Sequence, residues 1–148
     1  MPILSAQTIR SLCLLDPCRE SFKDVYGNSG GLSVCGYDLT IAQDIKISAG
    51  GFVLASAVER FNLPSHIAGI VHDKSILARI GIAVQNTVAE PGWRGFLTLE
   101  ITNHGETEFS RMAGASICQV IFHFLDAPSE APYSGKYQDQ GEQPQGAK

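Results

Sequence analysis

The sequence lacks a positive balance, because 11 Lys and Arg against 15 Asp and Glu leave a net charge of -4 over 148 residues. No global positive field is available to hold a nucleic-acid polymer, so an anionic ligand must be met by a few local Lys, Arg and backbone N–H groups. That arrangement suits one small phosphorylated molecule. Long apolar runs are also missing, since no stretch approaches the roughly 20 residues that span a bilayer. The N-terminus lacks the basic, apolar, small-residue layout of a signal peptide. Together these absences predict a cytoplasmic chain with no membrane partner. Cysteine is sparse at 4 residues, Cys13, Cys18, Cys35 and Cys118, and none forms a CxxC pair or a CxxH arrangement. A zinc site is therefore not expected, and four reduced thiols are. Cys118, inside an apolar run, reads as packing. The histidines, His66, His72, His104 and His123, are scattered with no ligand spacing, so no protein metal set is expected. No internal repeat of about 20–50 residues is present.

What is present is ordinary globular material, with 44% hydrophobic and 18% charged residues. A chain of this size makes one domain that buries roughly 70% of the surface exposed when unfolded. The segment Ile3 to Leu15 has helical spacing with Ser5 as a cap, and Asp16 to Gly31 reads as a loop rich in turn formers. From Leu39 onward, short β-branched and aromatic runs recur between Gly, Pro, Asn and Asp breaks: Leu39–Ile47, Gly51–Ala55, Ile67–Val71, Ile82–Gln85, Phe96–Asn103 and Ser116–Phe124. Many short strands predict an all-β fold, a distorted β-barrel or jelly roll with one or two short helices. Ser75 to Ile80 breaks the alternation and reads as a short helix with Ser75 and Arg79 on one face. Residues 1–127 form the expected domain. Residues 128–148 are rich in Gly, Gln, Pro and Tyr and cannot pack a core alone, so they read as a mobile arm.

Several residues could carry chemistry. Alternation in Phe96 to Asn103 puts Leu97, Leu99 and Ile101 on one face and Thr98, Glu100 and Thr102 on the other. Glu100 is then either a solvated outer-face carboxylate or a general base lining a cavity. Before it, Glu90-Pro91-Gly92-Trp93-Arg94-Gly95 is a tight turn with Pro91-Gly92 suited to the centre of a type II turn. It is either a plain hairpin or a device that holds Glu90 at the mouth of the Glu100 pocket. Trp93 reads first as a packing anchor. Asp73-Lys74-Ser75-Ile76-Leu77-Ala78-Arg79 brings two cations and a hydroxyl to a helix start, which either binds phosphate or is plain surface. Tyr133, Lys136, Tyr137, Gln138 and Gln140 either close over a nucleotide or belong to an unstructured tail.

The order of these pieces carries further weight. Gly36-Tyr37-Asp38-Leu39-Thr40, Lys74 to Gly81, Glu90 to Gly95 with Leu99-Glu100, Ile117 to Phe122, and Pro132-Tyr133 with Lys136-Tyr137-Gln138 follow one another in an order that resembles the dCTP deaminase branch of the dUTPase superfamily. The resemblance covers about Leu32 to Gln140. It implies a trimeric dUTPase-type barrel, a homotrimer whose active sites lie between subunits, and a C-terminal arm that closes them. It further implies that Glu100 is the catalytic glutamate and that Ser75 and Arg79 orient water and substrate. By the same resemblance, Tyr133, Lys136 and Gln140 cover the triphosphate, Gln119 and Lys74 lie at phosphate, and Mg²⁺ rides on the triphosphate oxygens.

In dUTPases the decisive carboxylate is an aspartate in the turn before the strand, which here is Glu90. Leu99-Glu100 favours deamination, while Glu90 keeps a dUTP pyrophosphatase or bifunctional reading open. Deamination would proceed without zinc, with Glu100 taking a proton from the water that attacks C4 of the cytosine ring. Two departures from the pattern matter. Lys74-Ser75-Ile76 stands where relatives carry Arg-Ser-Ser, so a point charge replaces a guanidinium fork. The loop Gln85 to Ala89 is shorter than in typical deaminases, which widens the pocket near C5 and admits a 5-substituted dCTP. The expectation is thus a deaminase acting on dCTP or a 5-substituted dCTP. The alternatives are dUTP hydrolysis, alone or combined with deamination, and a catalytically silent nucleotide-sensing trimer.

Overall fold

The computed structural model describes residues 2–148 of the chain. Helix α1 (Ala6–Leu12) is shorter than the spacing of Ile3 to Leu15 implies, because Cys13 turns into the left-handed region at φ 51° and ends it. Ser5 occupies the N-cap position, but its hydroxyl meets Thr8 Oγ1 at 3.1 Å instead of a backbone N–H. Leu4, Ile9 and Leu14 are buried and fasten this segment to the body of the protein.

The expected loop from Asp16 to Gly31 contains short strands, namely β1 (Leu15–Asp16), β2 (Phe22–Lys23) and the start of β3 (Ser29–Ser33). None is long enough to show alternation in the sequence; β1 forms by pairing with the distant Arg60 and Phe61, and β2 by pairing with β3. The expected strand Leu39–Ile47 is two strands, β4 (Gly36–Thr40) and β5 (Ile45–Ile47). Between them the polar side chains turn the chain: Gln43 Oε1 accepts from Ser56 N at 2.8 Å and Asp44 Oδ1 from Ala113 N at 2.7 Å.

Strand β6 (Phe52–Asn62) runs well past Ala55, followed by β7 (Ile67–Asp73), helix α2 (Ser75–Ala78), β8 (Ile82–Val84) and β9 (Val88–Ala89). Strands β10 (Arg94–Asn103), β11 (Phe109–Arg111) and β12 (Ser116–Phe124) complete the chain of elements. They form a four-stranded sheet β1-β6-β10-β8, a six-stranded sheet β2-β3-β4-β12-β7-β9 and the ribbon β11-β5. Every ladder between named strands is antiparallel. Tyr37, Leu39, Ile41, Phe61, Ile67, Leu77, Leu99 and Phe122 fill the space between the sheets. Phe61 bridges Trp93 and Phe122 through tilted ring contacts at 5.5 and 6.1 Å. Removing these side chains from water is the main force that holds the sheets together. No helix among the described residues is long and apolar enough to cross a membrane.

Strand β6 continues because Ala55, Ala57, Glu59 and Phe61 keep the two-residue period on the inner face, and all four are buried. Glu59 is a carboxylate in the core. It accepts from Thr40 N at 3.1 Å and from Thr40 Oγ1 at 2.8 Å, and burial pushes its pKa up. The ladder between β6 and β10 slips where Phe96 faces Arg60 and Thr98 faces Ser56, so β6 carries extra residues there. Leu97 is partly buried against the core, as its place on the Leu99 face predicts, and also lines a surface cavity beside Thr98 and Glu100.

Candidate active site

Two cavities hold the candidate residues. The first, about 570 Å³, is walled by Phe52, Leu54, Val71, Val88 and Leu97, and its polar groups include Asn86, Glu90, Thr98, Glu100, Tyr133 and Gln140. Apolar walls with a few convergent polar groups are the usual make-up of a small-molecule site. Glu100 projects from the middle of β10, half-buried, and desolvation among these walls raises its pKa above the ordinary carboxylate range. It lies opposite Leu54 of β6 on one edge of the strand, and on the other its carbonyl accepts from Gln85 N at 2.8 Å. Glu90 is exposed at the edge of the same cavity, carried on the turn before β10.

That turn is built to receive the C-terminal segment. Trp93 N donates to Glu90 O at 3.0 Å, and Gly92, at φ 88°, takes the position that favours glycine. A side chain at Gly92 or Gly95 would strike the segment itself, since a Cβ at Gly92 lies 2.6 Å from Pro132 Cβ and one at Gly95 lies 2.6 Å from Gln140 N. Tyr133 N donates to Pro91 O at 2.8 Å, Trp93 Nε1 to Tyr137 O at 2.8 Å, and Gln140 pairs with Gly95 as an isolated parallel bridge. Asp139 accepts from Arg94 at 2.7 and 3.1 Å and from Arg60 at 3.2 Å, which holds its carboxyl below its usual range. Composition marked residues 128–148 as a mobile arm. Here that arm is docked on its own chain, because it satisfies backbone groups on the turn and packs Tyr133 against the core. Its last residues, Gln145, Gly146 and Ala147, reach the wall of the Glu100 cavity, with Gln145 N on Thr98 Oγ1 at 3.0 Å. Lys136 lies outside both cavities, with its ammonium on the Lys148 carbonyl and 5.4 Å from the centre of the Tyr137 ring.

The second cavity, about 550 Å³, is lined by Lys23, Asn28, Ser29, Asp38, Asp73, Lys74, Ser75, Arg79 and Gln119 among others. Ser75 and Arg79 are exposed on α2, and among the described residues Arg79 has no side-chain ion pair. Lys74 is engaged. Its ammonium sits 3.1 Å from Asp38 Oδ1 and 3.2 Å from Ser29 Oγ, with both charged side chains nearly buried at 10% and 7% exposure. Gln119 Nε2 donates to Ser33 Oγ at 3.0 Å on the cavity wall. Among the described residues no three His, Cys, Asp or Glu side chains gather as a metal set.

Glu100 and Arg79 therefore line different cavities of one chain. The carboxylates, the arm and the apolar pocket are on one side, and the hydroxyl and the unpaired guanidinium are on the other. Asp38, Glu59, Asn86 and Asp139 also hold important places that the sequence reading assigned to none of them. Asp38 was within reach, since it lies in Gly36-Tyr37-Asp38. Glu59 could have been found from its place on the inner face between Ala57 and Phe61. Nothing local marks Asn86 or Asp139, whose partners are distant in sequence.

The curled antiparallel sheets with a carboxylate-bearing pocket define a β fold of the dUTPase type. Solved dUTPases share it: the EIAV enzyme aligns with a TM-score of 0.57 at 23% identity over 68% of this chain and 84% of its own. The Staphylococcus bacteriophage 80alpha dUTPase aligns with a TM-score of 0.59 at 12% identity over 80% and 90%. The dCTP deaminase-like family matches residues 37–125, and the chain belongs to that family. Relatives include the dUMP-forming dCTP deaminase of Corynebacterium glutamicum, 39% identical over 90 residues, which are 59% of this chain and 48% of that protein. The dCTP deaminase of Acidobacterium capsulatum is 33% identical over 144 residues, covering 76% of this chain and 79% of the relative. The chain spans about half the length of the Corynebacterium relative.

Proposed function

We propose that the protein deaminates a deoxycytidine nucleotide, dCTP or a 5-substituted dCTP, to the deoxyuridine nucleotide and ammonia, with Glu100 as the proton-transferring group. The observation that carries the reading is a half-buried carboxylate of raised pKa on a rigid strand, facing an apolar cavity. A carboxyl whose proton affinity is raised by desolvation is suited to both taking and returning a proton, a role worth roughly 10²–10⁴ in rate. Water attacks C4 of the ring while Glu100 accepts one of its protons. Glu100 passes that proton to ring N3 as the C4=N3 double bond becomes single, then carries the remaining proton of the C4 hydroxyl to the amino group, so that the C4–N bond to the amino group breaks, C4=O forms and ammonia leaves. No zinc-bound hydroxide takes part. The relatives' names, dCTP deaminase and dUMP-forming dCTP deaminase, agree with this chemistry.

The separation of the two cavities favours a homotrimer in which the Glu100 cavity of one copy meets the Ser75 and Arg79 cavity of the next. Arg79 would then face the pyrimidine and carboxylate from the neighbour, and Ser75 would orient the water. Exposed apolar side chains adjoin both cavities: Ile76 and Ile80 on and beside α2, and Phe52 and Val88 at the Glu100 cavity, each at least 50% exposed. Contact between copies would bury them. Gln119 and Lys74 would face phosphate in the second cavity, where the Asp38 partner moderates the charge of Lys74. Tyr133 and Gln140, from the arm, would close the nucleotide in, and Lys136 would reach the triphosphate after leaving Lys148.

The expected Mg²⁺ fits the second cavity as a passenger on the triphosphate. Asp38 and Asp73 offer hard oxygens there, but Asp38 is paired with Lys74 and Asp73 Oδ1 already accepts from Val84 N at 2.7 Å. Two such carboxylates are too few for a protein cage, so most oxygen ligands would come from substrate and water. Bound there, the ion would neutralise phosphate charge.

A second reading has its own support. Glu90 shares the cavity with Glu100, and a carboxylate on that turn would activate water toward a phosphate, giving dUMP and pyrophosphate. Incubation with Mg²⁺ and, separately, dCTP, 5-methyl-dCTP, dCMP and dUTP tests both readings through ammonia and pyrophosphate. Ammonia alone supports deamination, ammonia with pyrophosphate the bifunctional enzyme, and pyrophosphate from dUTP alone the hydrolase. Binding without either product would leave a nucleotide-sensing trimer and overturn the proposal.

A further inference from the structure

Opening a cavity beside Glu100 creates a difficulty for the sheet. Strand β8 pairs with β10 only over Ile101, Thr102 and Asn103, opposite Val84, Ala83 and Ile82. One more backbone bond follows, from Gln85 N to Glu100 O at 2.8 Å, and then the chain departs toward β9, which belongs to the other sheet. Departure is what makes room for a ligand. It also strips the neighbour from the β10 edge at the catalytic position, because alternate residues of an antiparallel strand aim both N–H and C=O to the same side. The Glu100 N–H and the Thr98 C=O face the missing strand. Unpaired backbone groups next to apolar walls are costly to leave unmade.

The side chain of Asn86 fills that place. Its Oδ1 accepts from Glu100 N at 2.9 Å and its Nδ2 donates to Thr98 O at 2.7 Å. A carboxamide has the same donor and acceptor pair as a peptide group, so Asn86 acts as one more rung of the ladder after the backbone has left. The two bonds also fix which end of the amide carries oxygen. We infer that Asn86 is a positioning residue that holds the β10 backbone at Glu100 and thereby aims its carboxylate into the cavity. The inference rests on the functional reading above for its kinetic consequence, though the geometry stands without it. Positioning matters because a displacement of about 1 Å at a reacting group can cost roughly 10²-fold in rate.

Two variants and three readouts test it. Asn86→Ala removes both bonds, and kcat for dCTP deamination is expected to fall roughly 10–100-fold with KM within about threefold. The Glu100 amide should lose its protection from hydrogen exchange while the Gln85 amide keeps its own. Asn86→Asp keeps the acceptor for Glu100 N–H, faces Thr98 O with a second acceptor and adds a negative charge. In that variant the acid limb of the kcat profile, and the NMR titration midpoint of the Glu100 carboxyl carbon, are expected to move to higher pH. Unchanged kcat in Asn86→Ala, or lost protection with no change in kcat, overturns the inference. If Asn86→Ala does not fold, Asn86→Asp decides, and an unmoved Glu100 midpoint overturns it. Failure of the functional reading looks different. Wild-type protein would then release no ammonia from dCTP, and the carboxyl titration would still judge Asn86.

Discussion

If one site is completed by two copies, two inactive variants must rescue each other. Glu100→Gln removes the proton carrier from the first cavity, and Arg79→Ala removes the unpaired guanidinium from the second. Each alone is expected to release ammonia from dCTP at least about 100-fold more slowly than wild type. In a cyclic trimer each boundary joins one Glu100 cavity to one Arg79 cavity. A mixed boundary is whole when Glu100 comes from the Arg79 variant and Arg79 from the Glu100 variant. With equal amounts and random exchange each condition holds about half the time, so about one quarter of the sites are intact. Co-expression, or unfolding and refolding of an equal mixture, randomises the copies. Ammonia release is then expected near a quarter of the wild-type rate. A mixture no faster than the average of its two components would refute the shared site, because a site within one chain cannot be repaired by mixing.

The buried carboxylate of Glu59 gives a pH-dependent prediction. Its folded pKa is raised by burial, so the folded state holds the proton more tightly, and this stability is fully present below the ordinary carboxylate range. It is lost as pH rises through the raised folded value. Glu59→Gln can accept from Thr40 N and donate to Thr40 Oγ1, and it should flatten this fall in urea midpoint. An unchanged slope would remove Glu59 as its source. For the Lys74 and Asp38 pair, Lys74→Met leaves a nearly buried carboxylate uncompensated and is expected to cost about 3–5 kcal/mol in urea unfolding. Adding Asp38→Asn should restore much of it, and a loss below about 1 kcal/mol would contradict the pairing.

The clearest parts of the sequence were those whose partners are near or whose alternation is long. Strand β12 appears with the same bounds as read, and β10 differs only at its start. The turn at Pro91-Gly92 was legible because its geometry is local. Strands β2 and β9 were not, since two residues carry no period and exist only through pairing with β3 and β7. The slip between β6 and β10 depends on extra residues in β6 that face a distant strand. The docked arm depends on space left by Gly92 and Gly95, which composition does not reveal. Asn86 illustrates the general reason: its role exists only because β8 stops at Val84, and that ending is a property of the assembled sheet.

The most direct test of Glu100 as the proton carrier compares wild type with Glu100→Gln for dCTP binding and single-turnover ammonia release. Dissociation constants within about threefold and a loss of roughly 10²–10⁴ in ammonia release are expected. Ammonia released by the variant at the wild-type rate would contradict the account.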